Sequence, residues 1–298
     1  MNKEQIAKGF SGLQEHICKS LGDLDQNAAF NSDDWHRAEG GGGRTQTIKE
    51  GTFIEKGGVA FSKVFGPVTS KMAEQLKLSG SDFFATGVSV VLHSRSANHP
   101  IIHMNVRYFE IDRETYWFGG GIDLTPIYID KESAKNFHIQ LKDVCDRYDS
   151  SMYPEFKKWA DSYFYLPHRK ETRGVGGIFF DQLRASDSMT KEQVFQFCID
   201  LGQLFPKLYK AQLQQPSSTV TSQNANHWQL LRRSRYVEFN LLHDRGTKFG
   251  IYSGGRTESI LMSMPPMAKW EYNYVPKPGS PEYETQSLLL GNVDWING

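Results

Sequence analysis

Three residues that can manage protons and carboxylates, His103, Asn105 and Arg107, recur at alternate positions of the run His103-Met-Asn-Val-Arg-Tyr-Phe109. Successive side chains of a β-strand point to opposite faces. A base, an amide and a fixed cation therefore share one face, while Met104, Val106 and Tyr108 share the other. Just upstream, Ser89, Val91 and His93 alternate with Val90 and Leu92, and just downstream Gly119-Gly120-Gly121 leads to Asp123. A buried polar group without a partner costs about 1–3 kcal/mol. A polar face where a core face is expected therefore marks a candidate site.

The tetrapeptide Gly-Gly-Arg-Thr occurs twice, at 42–45 and at 254–257. Glycine lets backbone N–H groups approach an anion, and arginine offers a planar fork that matches a carboxylate. Neither copy ends in the Lys-Ser/Thr of a nucleotide P-loop, so each is either a carboxylate-binding turn or a plain flexible one. Asp123 reads as a general base held by neighbouring amides or as a turn aspartate. Arg232, Arg233 and Arg235 read as a second carboxylate clamp or as a solvated basic edge, and Met262 and Met264 as packing. A metal at His93 and His103 would need further ligands. No HExxH or Cys/His ladder supplies them, and the spacing of His138 and His168 decides nothing.

The elements that must hold these residues follow from periodicity. Ile6, Phe10, Leu13, Ile17 and Leu21 recur at helical spacing. The stretch from Asn31 to Gly43 is polar and ends in four consecutive glycines. Strands are predicted at Gly58–Phe65, Phe83–Leu92, His103–Ile111 and Thr115–Phe118, with a short helix around Ser70 to Leu78. Helical faces follow on Ala134–Tyr148, Phe156–Tyr163 and Phe195–Leu208, and strand is predicted again at Arg235–Leu242 and Lys248–Tyr252. This is an α+β pattern with a large, mostly antiparallel sheet. One domain is expected over 1–298, with 1–30 as an N-terminal helix and its connection.

Lys+Arg and Asp+Glu both total 34, which gives no chain-wide field for nucleic acid or anionic membrane. Three cysteines without a CxxC pair suit a reducing compartment. No apolar run is long enough for a transmembrane segment, and the N-terminus carries no signal or transit pattern, so a cytoplasmic location is expected.

Longer motifs are Ser89-Val-Val-Leu-His93, His103–Phe109, Trp117-Phe-Gly-Gly-Gly-Ile-Asp-Leu-Thr-Pro126 and Tyr163-Phe-Tyr-Leu-Pro-His-Arg169. Arg235-Tyr-Val-Glu-Phe-Asn-Leu-Leu242, Asp244-Arg-Gly-Thr-Lys-Phe-Gly250 and Gly254-Gly-Arg-Thr-Glu-Ser-Ile-Leu-Met-Ser263 follow in order. Together, from about Gly40 to Trp295, they resemble the oxygen-dependent coproporphyrinogen III oxidases. One departure is the loop between His93 and His103, which begins His-Pro in the family and here reads Ser94-Arg-Ser-Ala-Asn-His-Pro100.

The resemblance implies oxidative decarboxylation of two propionates of coproporphyrinogen III to vinyls, with molecular oxygen as co-substrate and no required cofactor. It implies a homodimer built on a large antiparallel sheet covered by helices on both faces. His103 matches the proton donor, and Asp123 a carboxylate engaging the pyrrole nitrogens. Ser89, Asn105, Val106, Arg107, Gly254, Gly255 and Arg256 match substrate-contacting positions. His93, His103, His138 and His168 match four histidines put forward as a divalent-metal site in bacterial relatives. Two alternatives are a metal-dependent oxygenase using those histidines and a non-catalytic tetrapyrrole-binding protein.

Overall fold

The computed structural model describes residues 1–26, 28–76, 80–214, 224–252, 255–291 and 293–298. Helix α1 (Lys3–Leu24) starts at Asn2, whose side chain accepts from Gln5 N while the Gln5 side chain accepts from Asn2 N. This reciprocal capping satisfies two backbone donors that a helix start leaves without partners. Three long strands follow, β1 (Asn31–His36), β2 (Gly41–Lys49) and β3 (Ile54–Pro67), then the short helix α2 (Ser70–Leu76). Next come β4 (Asp82–Ser94), β5 (Ile101–Glu110) and β6 (Tyr116–Thr125). Helices α3 (Lys131–Asp146) and α4 (Met152–Tyr163) lead through the two-residue strands β7 (Tyr165–Leu166) and β8 (Glu171–Thr172) to β9 (Gly176–Leu183). The remaining elements among the described residues are helices: α5 (Lys191–Gln214), α6 (Ala225–Leu242), α7 (Arg245–Tyr252), α8 (Thr257–Leu261) and α9 (Pro281–Leu288).

Seven strands form one antiparallel sheet in the order β1-β2-β3-β4-β5-β6-β9. The fold is α+β, as the alternation of patterns predicts. One face carries Val88, Val90, Leu92, Met104, Val106, Tyr108, Phe118, Ile122, Leu124, Ile178 and Phe180, all buried in a single core with α1, α3, α4 and α5. Burying apolar side chains of this size contributes about 1.5–3 kcal/mol each, so this face is the main source of stability. The other face is covered only in part. Helix α6 seats Tyr236 on Val91 and Ile101, while Ala85, Gly87, Ser89, Asn105 and Arg107 stay half-buried.

Two expectations are corrected. The segments 235–242 and 248–252 are helices, not strands. The interior side of α6 runs through Trp228, Leu231, Arg232, Tyr236 and Phe239, a period near 3.6 that includes a buried arginine; a window opening at Arg235 misses it. Asp244 starts α7 by accepting from Thr247 N at 2.6 Å.

The polar stretch 31–43, to which periodicity assigns no element, forms a hairpin of β1 and the start of β2. Gly40 and Gly41 take φ of +129° and +82° at its turn, and Arg37 N donates to Gly41 O at 2.9 Å. β1 is an exposed edge strand whose polar residues carry no burial signal. Strand β9, adjacent to β6, adds a seventh strand that periodicity leaves unassigned.

Candidate active site

Register turns the sequence alternation into a grid. Ser89 pairs with Asn105 and Asn105 with Gly121; Val91 pairs with His103 and His103 with Asp123; Gly87 pairs with Arg107 and Arg107 with Gly119. Paired residues of antiparallel strands point to the same side. Ser89, His103, Asn105 and Arg107 therefore stand on one face, with Gly87, Gly119 and Gly121 beside Asn105 and Arg107, and Val91 and Asp123 beside His103. Those glycines are spatial requirements. A Cβ on Gly119 would stand 2.7 Å from Asp181 Oδ1 and 2.9 Å from Arg107 Nε, in the path the guanidinium takes across β6.

Arg107 ends that path at Asp181 of β9, with Nη2 3.1 Å from Oδ1, and its Nη1 donates to Asn105 Oδ1 at 3.3 Å. Its side chain is 41 % exposed, so this pairing is readily exchanged for another carboxylate. Val106, between the two, is fully buried against the helices of the opposite face. Its side chain cannot meet a ligand, because alternation sends it away from Asn105 and Arg107.

Asp123 lies beneath His103 rather than at the open surface. It is 2 % exposed, and both carboxylate oxygens are taken. Oδ1 accepts from His103 Nδ1 at 2.9 Å, and Oδ2 from Arg173 Nη2 at 2.6 Å. Burial alone would push this carboxyl up. The Arg173 charge and the His103 hydrogen bond outweigh it and hold Asp123 below the usual carboxylate range. The ionised Asp123 keeps the proton of His103 on Nδ1. Nε2 is left facing the half-open side, 3.5 Å from Asn105 Nδ2. In this arrangement the direct contact of Asp123 with pyrrole nitrogens is closed off, and His103 is the group that reaches the open face.

The two Gly-Gly-Arg-Thr copies part company. Arg44 shares a rung with Phe61 and, through it, Val88, on the core side, and pairs with Asp34 at 2.7 Å. Arg256 opens a strap that crosses the polar face. Its guanidinium pairs with Asp33 of β1, and Ser259 Oγ meets Thr45 Oγ1 of β2 at 2.9 Å. Met262 sits over Gly58 of β3, where a Cβ would come within 2.7 Å of its sulfur, and Ser263 O accepts from His93 Nε2 of β4 at 2.8 Å. Methionine 262 is packing, as its type suggested. Gly255 N donates to Gly250 O at 2.8 Å, while Gly254 lies outside the described residues. Arg256 reaches β1 and Arg107 stands on β5, four strand spacings apart, roughly 19 Å across one face.

The four histidines implied as a metal site do not converge. His138 lies under the opposite face, between Tyr153 Oη at 3.0 Å and Val175 O at 2.9 Å. His168 Nε2 donates to Glu238 Oε2 at 2.8 Å, and its Nδ1 is 3.1 Å from His243 Nε2. His93 is fully buried and bonded to the strap. Among the described residues, no group of three or more His, Cys, Asp or Glu is placed to hold a metal ion. The arginines 232, 233 and 235 are neither a free clamp nor a solvated edge. Arg232 and Arg235 pair with Glu171 at 2.8 and 3.4 Å, and Arg233 pairs with Glu55.

Arg173 and Asp181 are the participants that the sequence reading passed over. Both flank Gly176-Gly-Ile-Phe-Phe180, a glycine pair followed by three apolar residues, which was signal enough for a strand. Compared with models of known families, residues 5–295 match the one described as coproporphyrinogen III oxidase, and the chain belongs to that family.

Proposed function

From that membership, we propose that this chain is the oxygen-dependent form of the enzyme, working as a homodimer in the cytoplasm. The observation that carries the reading is the single face on which Ser89, His103, Asn105 and Arg107 stand beside Gly87, Gly119 and Gly121, with Arg256 on the far side. Net charge is zero, so a tetra-anionic macrocycle must be held by local cations. Two guanidinium groups spaced across a flat floor suit the carboxylates of a tetrapyrrole disc. A charge-assisted contact of this kind contributes about 1.5–3 kcal/mol.

Each propionate loses carbon dioxide and, formally, two electrons and a proton from its remaining two-carbon unit. Oxygen takes the two electrons, that proton and a second proton from solvent, and leaves as hydrogen peroxide. Arg107 and Arg256 exchange Asp181 and Asp33 for substrate carboxylates and so fix which side chains face the chemistry. His103 Nε2 carries a proton to or from the reacting region, and Asn105 orients it. The electrons come from the substrate itself, leaving by way of its electron-rich tetrapyrrole, so positioning contributes more than any redox group of the protein. Met267, Trp270, Tyr272 and Val275 are large apolar side chains exposed along one short segment, which suits contact with a second copy of the chain.

Oxygen uptake by purified protein with coproporphyrinogen III tests the reading. Uptake of two oxygen molecules for each coproporphyrinogen III converted to its divinyl product supports it, and substrate turnover at the same rate in strictly anaerobic buffer refutes it.

A further inference from the structure

Arg173 follows β8 and is buried at 2 % exposure. Its guanidinium carbon stands 4.5 Å from the ring centroids of Phe164, Tyr236 and Phe239. Three aromatic faces, two from α6 and one from Phe164 at the end of α4, make a cage that holds the cation. Burying an arginine is costly, and a packed apolar side chain often replaces a buried ion pair without loss of stability. Stability therefore gives weak grounds for keeping a charge in this cage. The geometry gives a stronger one: Arg173 Nη2 donates to Asp123 Oδ2 at 2.6 Å, and the other oxygen of that carboxylate meets His103 Nδ1 at 2.9 Å.

We propose that Arg173 is a positioning residue for the reaction. Locked in its aromatic cage, it holds the Asp123 carboxylate in the one orientation that fixes His103 with Nε2 toward the substrate face. The chain of contacts is Arg173 to Asp123 to His103 to substrate, and only the last link touches the reacting molecule. The proposal rests on the oxidase reading for its substrate, but its structural half stands apart from it. Neutral imidazole has two tautomers, and a fixed carboxylate at Nδ1 selects the one with the proton on Nδ1.

The test uses the full-length protein, with Arg173→Gln and Arg173→Lys each compared with wild type. Imidazole nitrogen NMR on histidine-labelled protein reads the tautomer, with His103→Gln identifying the signal. Wild type is expected to show His103 protonated on Nδ1, and Arg173→Gln to lose that uniform state. In turnover of coproporphyrinogen III, Arg173→Gln is expected to lose about tenfold or more in kcat with KM within about twofold.

Arg173→Lys keeps the charge without the fork. It is expected to recover part of the loss while remaining several-fold below wild type. Combining Arg173→Gln with Asp123→Asn should cost little beyond Asp123→Asn alone, because both act through His103. An Arg173→Gln protein with an unchanged His103 signal overturns the proposal, as does a loss carried by KM alone. Should Arg173→Gln not fold, wild-type kcat and an unchanged signal in Arg173→Lys overturn it equally. Failure of wild type to turn over coproporphyrinogen refutes the oxidase reading instead, and the NMR comparison still judges the positioning.

Discussion

The two faces of strands β4 to β6 come from the same residues read at odd and even positions, and they do different work. On one, Val88, Val90, Met104, Val106, Phe118 and Ile122 are all at 1 % exposure or less against helices. On the other, Ser89, His103, Asn105 and Arg107 stand half-buried among glycines. A shift of one residue exchanges the faces, so the packing of the first face is what fixes the position of every group on the second. Substitutions should therefore separate cleanly into those that cost the fold and those that cost the chemistry.

The largest effect is expected from Val106→Asp, which places an uncompensated carboxylate in the core. A loss above about 4 kcal/mol is expected, seen as absence of a cooperative thermal transition. A folded, active Val106→Asp would break the separation of the faces outright. Asp123→Asn blurs it by design, because it removes orientation from His103 and strands the buried Arg173 charge. A loss of about a hundredfold in kcat is expected, together with about 3 kcal/mol of stability, checked by steady-state kinetics and urea unfolding.

Arg107→Ala belongs wholly to the open face. It should raise KM about 10- to 100-fold and leave the urea midpoint within error, since its pair with Asp181 is solvent-exposed. Between the two Gly-Gly-Arg-Thr copies, Arg256→Ala should raise KM about tenfold, whereas Arg44→Ala on the core side should leave KM unchanged. Equal effects would mean that the strap does not set the far side of the site.

The smallest effect is one of pH. Burial pushes His93 down to about 3 and His138 down to about 4. Each stays neutral in the folded protein, while the unfolded chain takes up a proton below about pH 6.5. Their contribution to stability is present above that pH and is lost as pH falls toward 4 and 3. The urea midpoint should decline from pH 7 to pH 5, less steeply in His138→Gln.

Much of the open face was legible because a period of two is a local property. His103, Asn105 and Arg107 could be placed together from five consecutive residues. The helix α6 was misread because its buried side includes Arg232 and Arg233, whose partners Glu171 and Glu55 lie 61 and 178 positions away. Charge satisfied by distant residues leaves no trace in a sequence window. The same reason hid Arg173, 50 positions from Asp123, and with it the burial of Asp123 between Arg173 and His103. Arg44 and Arg256 share the tetrapeptide Gly-Gly-Arg-Thr, yet the first lies within strand β2 and the second at the start of helix α8.

The most direct measurement is carbon dioxide released from carboxyl-labelled coproporphyrinogen III, followed in air and without oxygen, for wild type and Arg107→Ala at low substrate. The account predicts two carbon dioxide molecules per substrate in air, none without oxygen, and at least about a tenfold slower release from Arg107→Ala. Release that persists without oxygen, or that is indifferent to Arg107, would contradict it.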